Sequence, residues 1–165
     1  MCQGIGKSGG TVSYSERQAK LLVLLWVEFG STDAPSTFFT IDPKTISEKC
    51  DLELFASLDW DRPSISELNN CDFAMYYLTV PAFKYVLPRL LTLLVQGGGD
   101  ISGQPIVDHI FNLVRQNDFA SLVASLSESQ KQIYAEIMDY IFLDNESYSV
   151  DPTDKGTIRQ MIMGE

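Results

Sequence analysis

Three groups of residues in this chain have side chains or spacings that could take part in chemistry, and the first is a glycine-rich segment. Gly4-Ile5-Gly6-Lys7-Ser8 ends in the same way as a phosphate-binding loop. That motif also needs a glycine five positions before its Gly-Lys pair, and a buried strand ahead of it. Met1 occupies the required position. We therefore expect no nucleotide binding at this segment.

The second group consists of one histidine and three scattered cysteines. A histidine-based nucleophilic dyad would have to use His109, which lies between apolar positions in residues 106–111. This setting favours a structural role. Cys2, Cys50 and Cys71 lack the spacing of a zinc site, so we expect reduced thiols and no metal ion or cofactor. A Cys50–Cys71 disulfide is the alternative.

The third group is acidic. Asp59 and Asp61 flank Trp60, and paired carboxylates could hydrolyse a glycosidic bond if they faced each other across a cleft. Their close spacing in a turn instead indicates solvated side chains. The acidic residues from Asp139 to Asp154 lack the regular ligand spacing of a calcium-binding loop. We therefore predict no catalytic residue.

The charge of the whole chain restricts its partners. Twelve Lys and Arg against 22 Asp and Glu give 12 − 22 = −10, and such a field repels nucleic acids and anionic membrane surfaces. The apolar run at residues 21–27 is too short to span a membrane. No secretory signal is apparent at the N-terminus. We expect a cytoplasmic protein whose partner is another protein.

Helix signals follow one another along the chain. Ser13 with Glu16, Ser64 with Glu67, and Ser127 with Gln130 match the capping box. Asp42-Pro43 predicts a further helix to about residue 58. The first helix should end near residue 29, and its predicted core face comprises Ala19, Leu22, Val23 and Trp26. Leu21, Leu24 and Leu25 widen this face, so the helix is expected to be buried on most sides.

The main helix is predicted from Thr79 to Gln96. Thr79 would cap it, Pro81 lies in its first turn, and Pro88 should bend its interior. Residues 73–78, just before it, fit either a short helix or a strand. Phe38 and Phe39 are expected to be exposed in a loop.

These signals predict a mostly α, single-domain, irregular helical bundle around a Pro-kinked central helix. We expect a flexible segment at residues 1–12, a helical domain at residues 13–143 and an acidic C-terminal segment at residues 144–165. A chain of this length can bury a sizeable core without disulfides.

Two motifs resemble a known family. Ala82-Phe83-Lys84-Tyr85-Val86-Leu87-Pro88 and, later, Ser127-Glu128-Ser129-Gln130 are similar to motifs of small uncharacterised bacterial α-helical proteins. The resemblance spans roughly residues 52–142. Val86 replaces a common second aromatic residue, and Arg89 after the proline is a second departure. The resemblance implies an α-helical fold and no catalytic residues.

By analogy, small acidic bacterial proteins of this kind are often immunity proteins that neutralise a toxin. We therefore expect a non-catalytic protein whose partner is a cationic toxin domain. A small hydrolase using acidic residues or Cys71 and a homodimeric regulatory or structural subunit are the alternatives.

Whether Tyr76, Tyr77 and Tyr85 belong to the core or to an interface stays open. The predicted partner-binding residues are Asp59, Trp60, Asp61, Glu67, Asp72, Asp139, Asp144 and Glu146.

Overall fold

The computed structural model describes residues 14–30, 32–98, 100–114 and 117–142, with isolated positions 148, 149, 153, 156, 157, 160 and 164. These residues are mostly α-helical, which confirms the predicted fold class. In chain order the α-helices are α1 (Glu16–Phe29), α2 (Ile46–Ala56), α3 (Ile65–Asn69), α4 (Val80–Gly97), α5 (Gln104–Val114), α6 (Asn117–Ala124) and α7 (Glu128–Phe142). The 3₁₀ helices Asp72–Tyr77 and Ile101–Gly103 precede α4 and α5, respectively.

Helix α4 lies at the centre of the packing and contacts α1, α6 and α7. Its start is as predicted, because the Thr79 hydroxyl accepts a hydrogen bond from the Ala82 N–H at 3.2 Å. Pro81 occupies the first turn, where its missing N–H leaves no bond unmade. Pro88 lies buried inside the helix, also as predicted, and cannot donate to the Lys84 carbonyl.

Two of the predicted capping boxes are confirmed, at the starts of α3 and α7. Ser64 and Glu67 exchange side-chain and backbone hydrogen bonds of 3.2 Å. Ser127 and Gln130 do the same, at 3.0 and 3.2 Å. These bonds satisfy N–H groups that the first helical turn leaves without partners.

The other two predicted starts differ from the structure. Ser15 and Gln18 form the capping box of α1, while the predicted Ser13 lies outside the described residues. Helix α2 starts at Ile46 and not at Asp42, so that prediction is wrong. Thr45 and Glu48 cap it reciprocally and satisfy two donors, whereas an Asp cap followed by proline would satisfy one.

The predicted core face of α1 is correct only in part. The helix buries Leu21, Leu25 and Phe29, whereas Val23 and Trp26 are exposed. Two apolar stripes run along this helix, and the contacts with α4 and α7 bury the stripe that contains Leu25. Local periodicity cannot distinguish these stripes, because both repeat every three or four residues.

Phe38 and Phe39 are not exposed as predicted, since both are half-buried against the core. The ring of Phe38 meets the edge of Tyr85 at 6.2 Å between centroids, and Phe39 meets Phe55 at 6.0 Å. An isolated β-bridge between Phe39 and Leu78 holds this loop against the end of the 3₁₀ helix. Residues 73–78 were predicted to form a helix or a strand. Residues 73–77 lie in the 3₁₀ helix, and Leu78 forms the β-bridge.

The core also includes one residue from the predicted acidic C-terminal segment. Tyr148 is buried and packs closely against Gly103. A side chain at position 103 would collide with it, because a Cβ there would lie 2.7 Å from the Tyr148 hydroxyl group. Ser149 donates its N–H to the Gln104 side-chain oxygen at 3.0 Å, and the Gln104 amide donates to the Ser149 carbonyl at 3.2 Å. These contacts attach residues 148 and 149 to the start of α5.

Candidate protein-binding surface

Helix α1 presents large apolar side chains to solvent on the face opposite its buried stripe. Val23 is 60% exposed, Trp26 is 73% exposed and Val27 is 67% exposed. Their spacing of three and four residues places them on one side of the helix. Contiguous apolar side chains of this kind often mark an interaction site, whereas isolated ones need no explanation.

A groove of about 530 Å³ lies between this helix, α4 and the turn after α2. Trp26 lines the groove and also belongs to the exposed face of α1, so the two form one continuous surface. We call this combination the α1 surface. The lining residues are Leu22, Leu25, Trp26, Phe29, Gly30, Trp60, Asp61, Arg62, Pro63, Pro88, Arg89, Thr92, Leu93 and Gln96.

The turn at the end of the groove is held by Trp60. This side chain is only 5% exposed, its indole N–H donates to the Phe55 carbonyl at 3.1 Å, and its ring lies 4.8 Å from the Phe55 ring. Trp60 is one of the predicted partner-binding residues, but its side chain is almost fully removed from solvent. Burying an indole against a phenylalanine ring lowers the free energy of the folded state, provided that the indole N–H has a hydrogen-bond acceptor.

Arg89 connects this turn to α4. Its Nε donates to the Trp60 carbonyl at 2.9 Å and its Nη1 to the Tyr85 carbonyl at 2.8 Å. The guanidinium also lies 3.9 Å above the centre of the Tyr85 ring. These contacts fix both the turn and the groove wall, so the groove is formed before any partner arrives.

The predicted acidic residues divide between the α1 surface and other parts of the fold. Asp59 and Asp61 are exposed in the turn, and Asp61 lines the groove 3.9 Å from Arg89 Nη2. The Asp61 carboxylate is almost fully exposed, so this ion pair adds little stability and leaves the charge accessible.

Three of the remaining predicted partner-binding residues, Glu67, Asp72 and Asp139, do not line the groove. Glu67 caps α3 through Ser64, and Asp139 is half-buried on α7. Asp72 accepts a hydrogen bond from, or forms an ion pair with, His109 Nε2 at 2.9 Å. Asp144 and Glu146 lie outside the described residues.

The residues around Cys71 do not form an activated nucleophile. Burial, with a smaller contribution from the charges of Asp51 and Asp72, raises the pKa of the Cys71 thiol to about 11. Its Sγ lies 3.4 Å from the Glu67 carbonyl, to which it donates. The thiol is therefore protonated near neutral pH, whereas nucleophilic attack needs a thiolate. Cys50 and Cys71 are both free, so the alternative of a disulfide between them is wrong.

His109 is half-buried, and its structural role stays a prediction. Besides its contact with Asp72, its ring packs against the edge of Tyr76 at 4.7 Å. The described residues contain no group of three His, Cys, Asp or Glu side chains that could hold a metal ion. None of the helices in the described part of the chain is long and apolar enough to cross a membrane.

Sequence reasoning missed the α1 surface, although the signal was present. Ala19, Val23, Trp26 and Val27 form a second apolar stripe on α1, opposite the one that is buried. A helix that packs on one side cannot bury two such stripes.

Comparison of the chain with protein-family models, curated proteins and solved structures finds no match. The resemblance drawn from the two sequence motifs therefore stays a prediction.

Proposed function

We propose that this protein is a non-catalytic binding protein, and specifically an immunity protein that neutralises a bacterial toxin. The observation that carries the proposal is the exposed apolar face of α1 beside a preformed groove. Exposed tryptophan is costly in water and is among the side chains that contribute most to protein–protein binding. A partner that covers Trp26, Val23 and Val27 would remove that cost.

The charge of the chain supports a basic partner. A net charge of −10 accelerates the encounter with a positively charged protein and disfavours nucleic acids. Toxin domains that bind nucleic acid need basic surfaces, so an acidic neutraliser could cover such a surface directly. Neutralising a basic toxin domain is the specific form of binding that the negative charge of this chain supports.

The groove is large enough for a small substrate, so the hydrolase alternative has one observation in its favour. Its charged lining consists of Asp61, Arg62 and Arg89. The Arg89 guanidinium is held by two backbone carbonyls, while Asp61 and Arg62 are exposed to water. Acid–base hydrolysis needs a proton donor or acceptor that is held against the substrate and shielded from water. The lining therefore supports binding better than hydrolysis.

Co-expression with the product of the adjoining gene tests the proposal. That product, expressed alone in a bacterial host, should arrest growth, and co-expression of this chain should restore it. The purified pair should form a complex by size-exclusion chromatography and calorimetry. A neighbouring product that is harmless and does not bind at micromolar concentrations would refute the immunity function.

A further inference from the structure

We infer that the α1 surface binds an amphipathic helix of the partner, with apolar side chains in the groove and basic side chains along one edge. This inference rests on the proposed function and adds the kind of segment that is recognised. Three features carry it: the shape of the groove, the extent of the apolar face and the charges of the Asp59–Asp61 turn.

The shape of the α1 surface favours a helix as occupant. A small molecule could fill the groove but would leave Val23 and Val27 in water, because neither residue lines it. A helix laid along α1 could insert some apolar side chains into the groove and cover the exposed face with others. An added β-strand would need an open sheet edge, and the described residues have only the bridge between Phe39 and Leu78.

The turn supplies the charge complementarity. Asp59 and Asp61 are exposed beside the groove, where lysine or arginine side chains of a bound helix could reach them. Arg89 Nη2 lies 3.9 Å from the Asp61 carboxylate, but that carboxylate is 88% exposed, so water screens the pair and Asp61 can still meet a second cation. Arg62 is the exposed basic group of the lining and opposes a basic partner. Its removal should therefore strengthen binding.

A second copy of this chain is a poorer occupant. Two copies would bring together two chains that each carry a net charge of −10, including the exposed Asp59 and Asp61 of each turn. Like charges facing each other across an interface disfavour association. A basic helix meets the same surface without this repulsion.

Intrinsic fluorescence can test the inference because the chain contains only two tryptophans. Trp60 is buried, whereas Trp26 is 73% exposed. Covering the α1 surface should therefore shift the emission of Trp26 to shorter wavelength. A Trp26→Phe variant retains Trp60 alone and should show no shift.

The probe is a synthetic helical peptide of about 14 residues, or about four turns. It carries leucines at i, i+3, i+4 and i+7 and lysines on both flanks, and a matched peptide carries glutamates in place of the lysines. We expect the lysine peptide to bind with a blue shift, and the glutamate peptide to bind at least about tenfold more weakly.

Matched variants of the full chain locate the binding. Val23→Asp should weaken binding of the lysine peptide at least about tenfold, whereas Ile46→Asp, at an exposed apolar residue of α2 outside the α1 surface, should not. Asp61→Asn should weaken binding, and Glu53→Gln on α2 should change it less. Arg62→Gln should strengthen it. Circular dichroism would verify that each variant is folded.

Each contrary result overturns the inference. Equal binding of the two peptides would exclude charge recognition, and no binding of either would exclude a helix as occupant. Equal loss in Val23→Asp and Ile46→Asp would place the contact elsewhere. A blue shift that increases with protein concentration alone would identify a second copy as the occupant. None of these outcomes changes the co-expression result, which decides the proposed function separately.

Discussion

The guanidinium of Arg89 lies 3.9 Å above the ring of Tyr85, one turn earlier in α4. The same side chain donates to the carbonyls of Tyr85 and Trp60. Arg89, which directly follows the buried Pro88, thus joins the central helix to the turn at one end of the groove. The groove geometry depends on this connection.

Replacing Arg89 should therefore destabilise the protein. Arg89→Leu would leave the Trp60 carbonyl without its donor, remove the second donor of the Tyr85 carbonyl and remove the contact with the Tyr85 ring, at a cost of roughly 2–4 kcal/mol in the free energy of unfolding. Arg89→Lys should restore only part of this loss, because an ammonium group lacks the planar fork.

Urea unfolding followed by circular dichroism would measure these costs. Arg62→Gln provides the matched control, since the Arg62 side chain is exposed and its hydrogen bond to the Asp59 carbonyl at 2.9 Å comes from the backbone N–H, which the substitution keeps. Its effect should lie within about 0.5 kcal/mol. An Arg89→Leu variant as stable as the control would contradict the role assigned to this residue.

The two faces of α1 should respond oppositely to substitution. Leu25→Ala removes buried methyl groups and should cost about 2–5 kcal/mol. Trp26→Gln removes an exposed indole and should change the unfolding free energy by less than about 1 kcal/mol. Denaturant titration of both variants would compare them. A larger loss of unfolding free energy for Trp26→Gln than for Leu25→Ala would indicate that Trp26 belongs to the core, as periodicity predicted.

The start of α2 can be tested at its cap. Thr45→Ala should cost about 1 kcal/mol, because the Glu48 N–H loses the hydroxyl that accepts its hydrogen bond at 3.1 Å. Asp42→Ala should have little effect, since Asp42 is exposed and precedes the helix. Thermal unfolding of the two variants provides the measurement. The reverse order of stabilities would indicate a helix that begins at Asp42.

The buried Cys71 thiol should make stability depend on alkaline pH. Its pKa is raised from 9.0 to about 11, so the folded state retains the proton after the unfolded chain has lost it. Stability from this group is fully present below pH 9 and is lost as the pH rises toward 11.

Urea unfolding at pH 8, 9 and 10 would test this dependence. Tyr148, whose pKa burial raises to about 12, contributes to the same decline at higher pH. Cys71→Ala should therefore show a smaller decline than the unsubstituted protein between pH 9 and 10. Identical slopes would show that Cys71 ionises equally in both states.

Several helix starts could be predicted because their causes are local. The caps of α3, α4 and α7 each join residues only three positions apart, so their residue types already specify the contact. The central position of α4 was also predictable, since its nearly continuous apolar sequence leaves few sides that tolerate water. The mostly α fold follows from these signals together.

The α1 surface depends on tertiary contacts instead. Its groove joins residues from Leu22 to Gln96 along the chain, and no local pattern relates those positions. Sequence alone determined that α1 has more apolar residues than one face can hold. Packing against α4 and α7 decided that Leu25 is buried and Trp26 meets water, because burial depends on which neighbours the rest of the chain supplies.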